Sequence, residues 1–248
     1  MKRTIIILCA LLFVLTSFAQ TIKIAAAANL RNVLDEIKVA YLKENPKAKL
    51  EITYGASGNL TQQILNGASF DFFMAADNEF PLKLQQKKAT IRAMKVYAYG
   101  KLVMWSNSVD VSKGLEVLSS PNVKKIAIAK PETAPYGERS VEFLKKRNVI
   151  NTLSSKIVYA DNISQAAQFA TTGNAEIAFT ALSLAFSPEM KKEGQYYLVP
   201  ESDYTPIAQA CVLLKTKIYN PAAAKFMQYV LSPQTESLWL KWGYGIKK

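Results

Sequence analysis

The sequence predicts an α/β protein with a largely parallel strand arrangement in two lobes, and three observations carry that prediction. Strand-like and helix-like apolar periods alternate from Thr21 into the C-terminal tail. No Gly/Ser/Pro-rich linker divides the chain, so two lobes must share strands that cross between them. Two apolar runs are placed to make those crossings: "VYAYGKLVMWS" (96–106) outward and "DYTPIAQACVLL" (203–214) on the return. A chain that crosses twice forms a hinge, with a cleft between its lobes.

The elements follow in order. Lys2 and Arg3, an apolar run over 5–15 and the small-x-small pattern Ser17-Phe18-Ala19 read as a secretory signal peptide over 1–19, cleaved after Ala19. The run is too short to span a bilayer. Leu8 precedes Cys9 where a lipoprotein signal wants a small residue, so the reading is export without a lipid anchor. "TIKIAA" (21–26) is strand-like, and Leu30, Val33, Leu34, Ile37 and Tyr41 fall at helical spacing. "ENPKAK" (44–49) breaks that helix at a Pro turn. "KLEITY" (49–54) and "DFFMAA" (71–76) are the next strands, and Asp77 reads as the N-cap of a helix through Leu84. The run 96–106 reads as one long strand. "KKIAIA" (124–129), "KIVYA" (156–160), "AEIAFT" (175–180) and "QACVLLK" (209–215) follow. The tail reads as two helices split at Ser232-Pro233. On this reading residues 20–98 with 209–248 form lobe 1 and residues 99–208 form lobe 2.

Composition narrows the function. With 248 residues and 50% apolar content the chain can bury a sizeable core. Its formal charge of +12 becomes +10 when Lys2 and Arg3 leave with the signal. A basic surface attracts anions. The basic residues are scattered, in pairs such as Lys87-Lys88, Lys124-Lys125 and Lys145-Lys146, which read as solvated helix faces and not as a nucleic-acid stripe. There is no histidine, which excludes a Ser-His-Asp triad, a Cys-His pair and His-containing zinc sites. Cys211 is the one cysteine left after cleavage and reads as a buried, inert thiol. Trp105, Trp239 and Trp242 read as packing residues, and Asp71 and Asp77 as a turn and a cap, not a metal site.

Four strand-to-helix turns carry the functional signal: "AAAANL" (25–30), "YGASGNL" (54–60), "KPETAPYGE" (130–138) and "ADNIS" (160–164). A helix start has unpaired N–H groups and a partial positive charge, so it binds anions readily. In open α/β sheets ligands collect beyond the C-terminal ends of strands, where such turns lie. Gly55 and Gly58 admit close backbone approach, and Ser57 adds a hydroxyl. Taken singly, each turn reads first as an N-cap; four together read as a shared anion site. Ser57 does not read as a nucleophile, since "GASGN" departs from G-x-S-x-G at Asn59 and no His serves it. No G-K-[ST] follows the glycines, so this is not a P-loop. Lys130 and Arg139 flank the third turn and read as exposed steering charges.

The four turns, as "AAAANLRNVLDEI", "YGASGNLTQQILNGASFDFFMAAD", "KPETAPYGERSVEFL" and "ADNISQAAQF", resemble in order those of the periplasmic molybdate-binding protein family of bacterial ABC transporters. The resemblance implies a type II periplasmic-binding-protein fold that closes on one tetrahedral oxyanion, molybdate or tungstate, held by neutral hydrogen bonds. Residue by residue, it assigns ligand contacts to Asn29, with Ala28 beside it supplying backbone, to Ser57, to Tyr136 and to the backbone of Ile163. The metal is then met only as its oxyanion, through Asn29, Ser57, Tyr136 and Ile163. It also implies a monomeric periplasmic receptor that works with a membrane permease, without cofactor, catalysis or nucleic acid. One branch of the family has a Tyr where Ala181 stands; Tyr136 is the candidate to replace that hydroxyl. Two alternatives stay open: a receptor for sulfate, phosphate or a small organic acid, and a hydrolase on the same fold, with Asp161, Glu132 or Glu138 as its base.

Overall fold

The computed structural model describes residues 21–246; the expected signal peptide lies outside the described residues. The first part of the chain runs β1 (Thr21–Ala27), α1 (Arg31–Glu44), β2 (Lys49–Gly55), α2 (Ser57–Leu65), β3 (Phe72–Met74) and α3 (Glu79–Gln86). A pair of strands follows, β4 (Lys95–Gly100) and β5 (Leu102–Ser106). Next come β6 (Ile126–Ala129), α4 (Pro135–Lys146), α5 (Ile150–Leu153), β7 (Ile157–Ala160), α6 (Ile163–Thr171), β8 (Ile177–Ala181), α7 (Leu182–Ala185), α8 (Pro188–Glu193) and β9 (Gln195–Leu198). The chain ends in β10 (Ile207–Leu213), α9 (Pro221–Val230) and α10 (Glu236–Lys241).

The strands form two five-stranded sheets, ordered β2-β1-β3-β10-β4 and β7-β6-β8-β5-β9. Both follow one plan. In the first, β1 pairs in parallel with β2 and β3, and β10 closes antiparallel on β3 and β4. In the second, β6 pairs in parallel with β7 and β8, and β5 lies antiparallel to β8 and β9. Sequence explains the placement. Edge strand β2 begins with exposed Lys49 and Glu51 about buried Leu50, whereas interior β1 buries Ile22, Ile24, Ala25 and Ala26. Helix α1 turns Val33, Leu34, Ile37 and Tyr41 to the core, one face at helical spacing.

The run 96–106 is not one strand. It divides at Lys101, with β4 in the first sheet and β5 in the second. The reason is a change of ladder: Gly100 pairs with Ile207 of β10, and Leu102 pairs with Ala181 of β8. Gly100 has to be bare, because a Cβ there would stand 2.1 Å from the Tyr136 hydroxyl and 2.4 Å from Gln209 Nε2. The return passage runs from β9 to β10. Strand β3 is shorter than the apolar run 71–76, although Ala75 N–H still bonds Ala210 O at 2.9 Å. Helix α3 starts at Glu79, yet Asp77 does cap it in effect, since its Oδ1 accepts from Phe80 N–H at 3.2 Å. Cys211 and the three Trp residues are buried.

The parallel strands β1, β2, β6 and β7 end at Ala27, Gly55, Ala129 and Ala160, so all four turns leave strand ends of the two sheets. Helix α4 sits hard against one of them: a Cβ on Gly137 would lie 1.9 Å from Ala129 O. Gly137→Ala is therefore expected to lower the unfolding free energy by about 1–3 kcal/mol. The check is the urea midpoint at constant slope; an unmoved midpoint would mean that the helix shifts without strain.

Candidate functional site

The four turns meet. Ala28, Asn29, Ser57, Tyr136 and Ile163, all five residues named from the sequence, line one small cavity. Ala27, Gly55, Ala56, Ala76, Ala134 and Pro135 complete its wall. No charged side chain is among them. The cavity is small, with ≈ 200 Å³ of empty space, which disfavours a peptide, a sugar or an extended organic acid.

The backbone at this cavity is unusually free. The residues at the N-cap positions of the first three helix starts are Ala27, which heads a 3-10 turn (Ala28–Leu30) running into α1, Ala56 and Ala134, and none has a side-chain cap. Ala is among the poorer N-cap choices and forgoes about 1 kcal/mol per helix. At the fourth start Asn162 does cap, accepting from Ser164 N–H at 3.0 Å and Gln165 N–H at 3.1 Å. That leaves the Ile163 N–H outside the cap. The N–H groups of Asn29, Ser57, Tyr136 and Ile163 have no loop or side-chain acceptor among the described residues. Ser57 is not a cap either: its Oγ accepts from Ala76 N–H at 3.0 Å, which leaves the hydroxyl proton to donate. The arrangement offers several neutral donors to one point and no charge.

Below the cavity lies a buried neutral network. Asn29 Nδ2 donates to Gln209 Oε1 and to the Tyr244 hydroxyl, each at 3.0 Å. Gln209 Nε2 donates to the Tyr136 hydroxyl at 3.0 Å. Ser183 Oγ–H donates to Asn29 O at 3.0 Å. Burial pushes the phenols of Tyr97, Tyr136 and Tyr244 up, so they stay protonated. The sequence reading missed Gln209, Tyr97, Tyr244 and Ser183 as members of the site. Gln209 was visible as the lone polar residue ahead of an apolar run; Tyr244, close to the C-terminus, gave no signal.

The two halves are drawn together at the turns. Gly58 N–H bonds Thr133 O at 2.8 Å, and Ser164 Oγ–H bonds Ala28 O at 3.2 Å. The flanking charges stay outside the cavity. Lys130 pairs with Asp161 at 2.6 Å. Arg139 is buried, not exposed, and is held by Glu142 at 3.0 Å, Glu138 at 3.2 Å and Glu79 at 3.7 Å. The cap of α6 is Asn162, and Asp161 serves the ion pair instead. Ala181 ends β8 and does not line the cavity.

Asp77, next in sequence to cavity residue Ala76, has its carboxyl pushed up to about 7, chiefly by burial. An unfolded Asp titrates near ~3.9. Between about pH 4 and 7 the folded protein therefore keeps a proton that the unfolded chain has lost. Stability is expected to fall as pH rises through that window and to level off above it. Urea melts across the window should show this slope, and Asp77→Asn, which keeps the Oδ1 acceptor, should remove it. An equal slope in the variant would assign the effect elsewhere.

Residues 22–245 match the family model described as bacterial extracellular solute-binding protein. The Molybdate-binding protein ModA of Azotobacter vinelandii is 34% identical over 249 residues, covering 100% of this chain and 98% of that protein. That of Rhodobacter capsulatus is also 34% identical, over 89% of this chain and 86% of its own length. Among solved structures, the Azotobacter vinelandii periplasmic molybdate-binding protein superposes with a TM-score of 0.86 at 28% identity, covering 92% of this chain and all of that one. These relatives match the resemblance carried by the four turns. The two-sheet architecture is that of a type II periplasmic binding protein, and the chain belongs to the bacterial extracellular solute-binding protein family.

Proposed function

We propose that this protein is the extracytoplasmic receptor of an ABC transporter, which captures molybdate or tungstate and delivers it to a membrane permease. It is a binding protein and not an enzyme, in keeping with its relatives. The observation that carries the reading is the set of three uncapped, Ala-headed helix starts on one small cavity without charge. A dianion leaving water needs its lone pairs met by donors. Donors fixed by folded turns need little rearrangement to meet them. Here the donors are the backbone of Ala28, Asn29, Tyr136 and Ile163 and the hydroxyl and N–H of Ser57. The helix dipoles supply the positive field that a buried Lys or Arg would otherwise provide. An organic acid is disfavoured by the cavity's size, and a hydrolytic role by the lack of any carboxylate in its wall.

The same reading places the receptor in the periplasm, exported through a cleaved signal at 1–19, and working as a monomer. It assigns residues 20–98 with 209–248 to one lobe and 99–208 to the other, with closure about the two crossings. Passage of the chain between sheets at Lys101 supports a two-lobe division, although Tyr99, Gly100, Ile207 and Ala208 still pair within the first sheet.

Calorimetry of the exported protein should give one-to-one binding of molybdate and tungstate, with sulfate and phosphate weak. Ser57→Ala is expected to weaken molybdate about tenfold to hundredfold, the worth of a hydrogen bond to a charged group. A preference for sulfate would replace the proposed cargo. Closure has its own test. A Cβ on Gly58 would stand 2.8 Å from Thr133 Cα and 2.9 Å from Phe80 Cζ. Molybdate should shrink the radius of gyration of the natural protein in small-angle scattering, and Gly58→Ala should blunt that contraction. Equal contraction in both would show that the Gly58–Thr133 contact does not set the closed state.

A further inference from the structure

Tyr136 joins the cavity to the place where the chain passes between its two sheets. Its N–H is one of the unpaired donors at the helix starts, and the residue lines the cavity. Its hydroxyl stands against Gly100 and Gln209, and neither of those lines the cavity. Gly100 ends β4, the last residue of the first sheet before the outward crossing. Gln209 lies on β10, soon after the chain has returned.

The fit at this point is close. A Cβ on Gly100 would stand 2.1 Å from the Tyr136 hydroxyl oxygen and 2.9 Å from its Cζ. The phenol tip thus occupies the slot that the glycine leaves. The Gln209 amide closes the other side, with Nε2 3.0 Å from the hydroxyl. A phenol both donates and accepts, so either end of the carboxamide satisfies this contact.

The contact also spans the two sheets. Helix α4 packs on β5, β6 and β8 of the second sheet, while its Tyr136 reaches β10 of the first. Gln209 in turn lies 3.0 Å from the Asn29 amide and 3.0 Å from the Tyr97 hydroxyl. Tyr97 donates to Ala75 O at 2.7 Å, and the N–H of the next residue, Ala76, is held by Ser57 Oγ. One residue of the returning strand therefore touches the first and third turns and supports the second.

We propose that the Tyr136 hydroxyl is a latch for the closed cleft: it seats between the two crossing strands as the lobes meet around the anion, and must leave that slot before the anion can leave. Tyr136 is then a positioning residue through its side chain as well as a donor through its backbone. The proposal rests on the receptor reading above. Withdrawing the hydroxyl strips a buried amide of a partner, which opposes opening. The latch does nothing for an anion approaching an open cleft. Its effect falls on release and not on entry.

Tyr136→Phe keeps the ring and the backbone N–H and removes only the hydroxyl. The exported natural protein and the variant are loaded with radiolabelled molybdate, chased with unlabelled molybdate, and compared for entry and release. Urea midpoints of both proteins without anion are measured alongside. Release from the variant should be about fivefold faster, the worth of one neutral hydrogen bond, with entry and the anion-free midpoint unmoved. A merely structural contact would lower the anion-free midpoint. Unchanged release, slowed entry or a lowered anion-free midpoint overturns the latch and leaves the receptor standing. Failure of the natural protein to bind molybdate or tungstate overturns the receptor, and the latch with it.

Discussion

The constraint on which this molecule depends is that a helix start must find acceptors for its first N–H groups. Most helices meet it locally with Ser, Thr, Asp or Asn. This chain places Ala27, Ala56 and Ala134 there instead, and turns all three helix starts to one point. The unmet demand is concentrated at one small cavity. The parallel strands exist to bring those ends together, and the duplicate plan of the two sheets lets each contribute two turns.

Neutrality runs from the cavity into its support. Its wall holds no ionised side chain, and the layer below is built from amides, phenols and a serine. The charged groups that lie nearby are tied to one another, Lys130 to Asp161 and Arg139 to three glutamates. A buried guanidinium in the cavity would bind anions more broadly and would select them less by shape. On the proposed reading, neutral donors meet a dianion only where the geometry already fits, which would make the spacing of the turns the selecting feature.

Much of this was legible in the sequence because it is local. Alternation of apolar runs gave the strands, and Gly-, Ala- and Ser-rich turns marked where strands became helices. The five cavity residues all sit within those turns. What the sequence could not convey was pairing across distance. The run 96–106 carries one continuous apolar pattern, and only the exchange of β10 for β8 as partner divides it at Lys101. Strand β9 escaped because "QYYL" is an exposed edge without an alternating pattern. Arg139 resembled a steering charge because its three carboxylate partners are set by folding. Gln209 is 180 residues from Asn29, and a polar residue in an apolar strand does not name its partner.

The contrast between a basic exterior and an uncharged cavity separates arrival from residence. The approach of a dianion is governed by the long-range field of the whole molecule, which mobile ions screen over roughly 10 Å. On the proposed reading its dwell time is set by buried, neutral hydrogen bonds that salt hardly reaches. A change in the saltiness of the surroundings therefore alters how often the receptor is filled, but not how long each filling lasts. A permease served by such a receptor, as proposed, would meet the same closed complex in dilute and in concentrated surroundings, with only the frequency of deliveries varying.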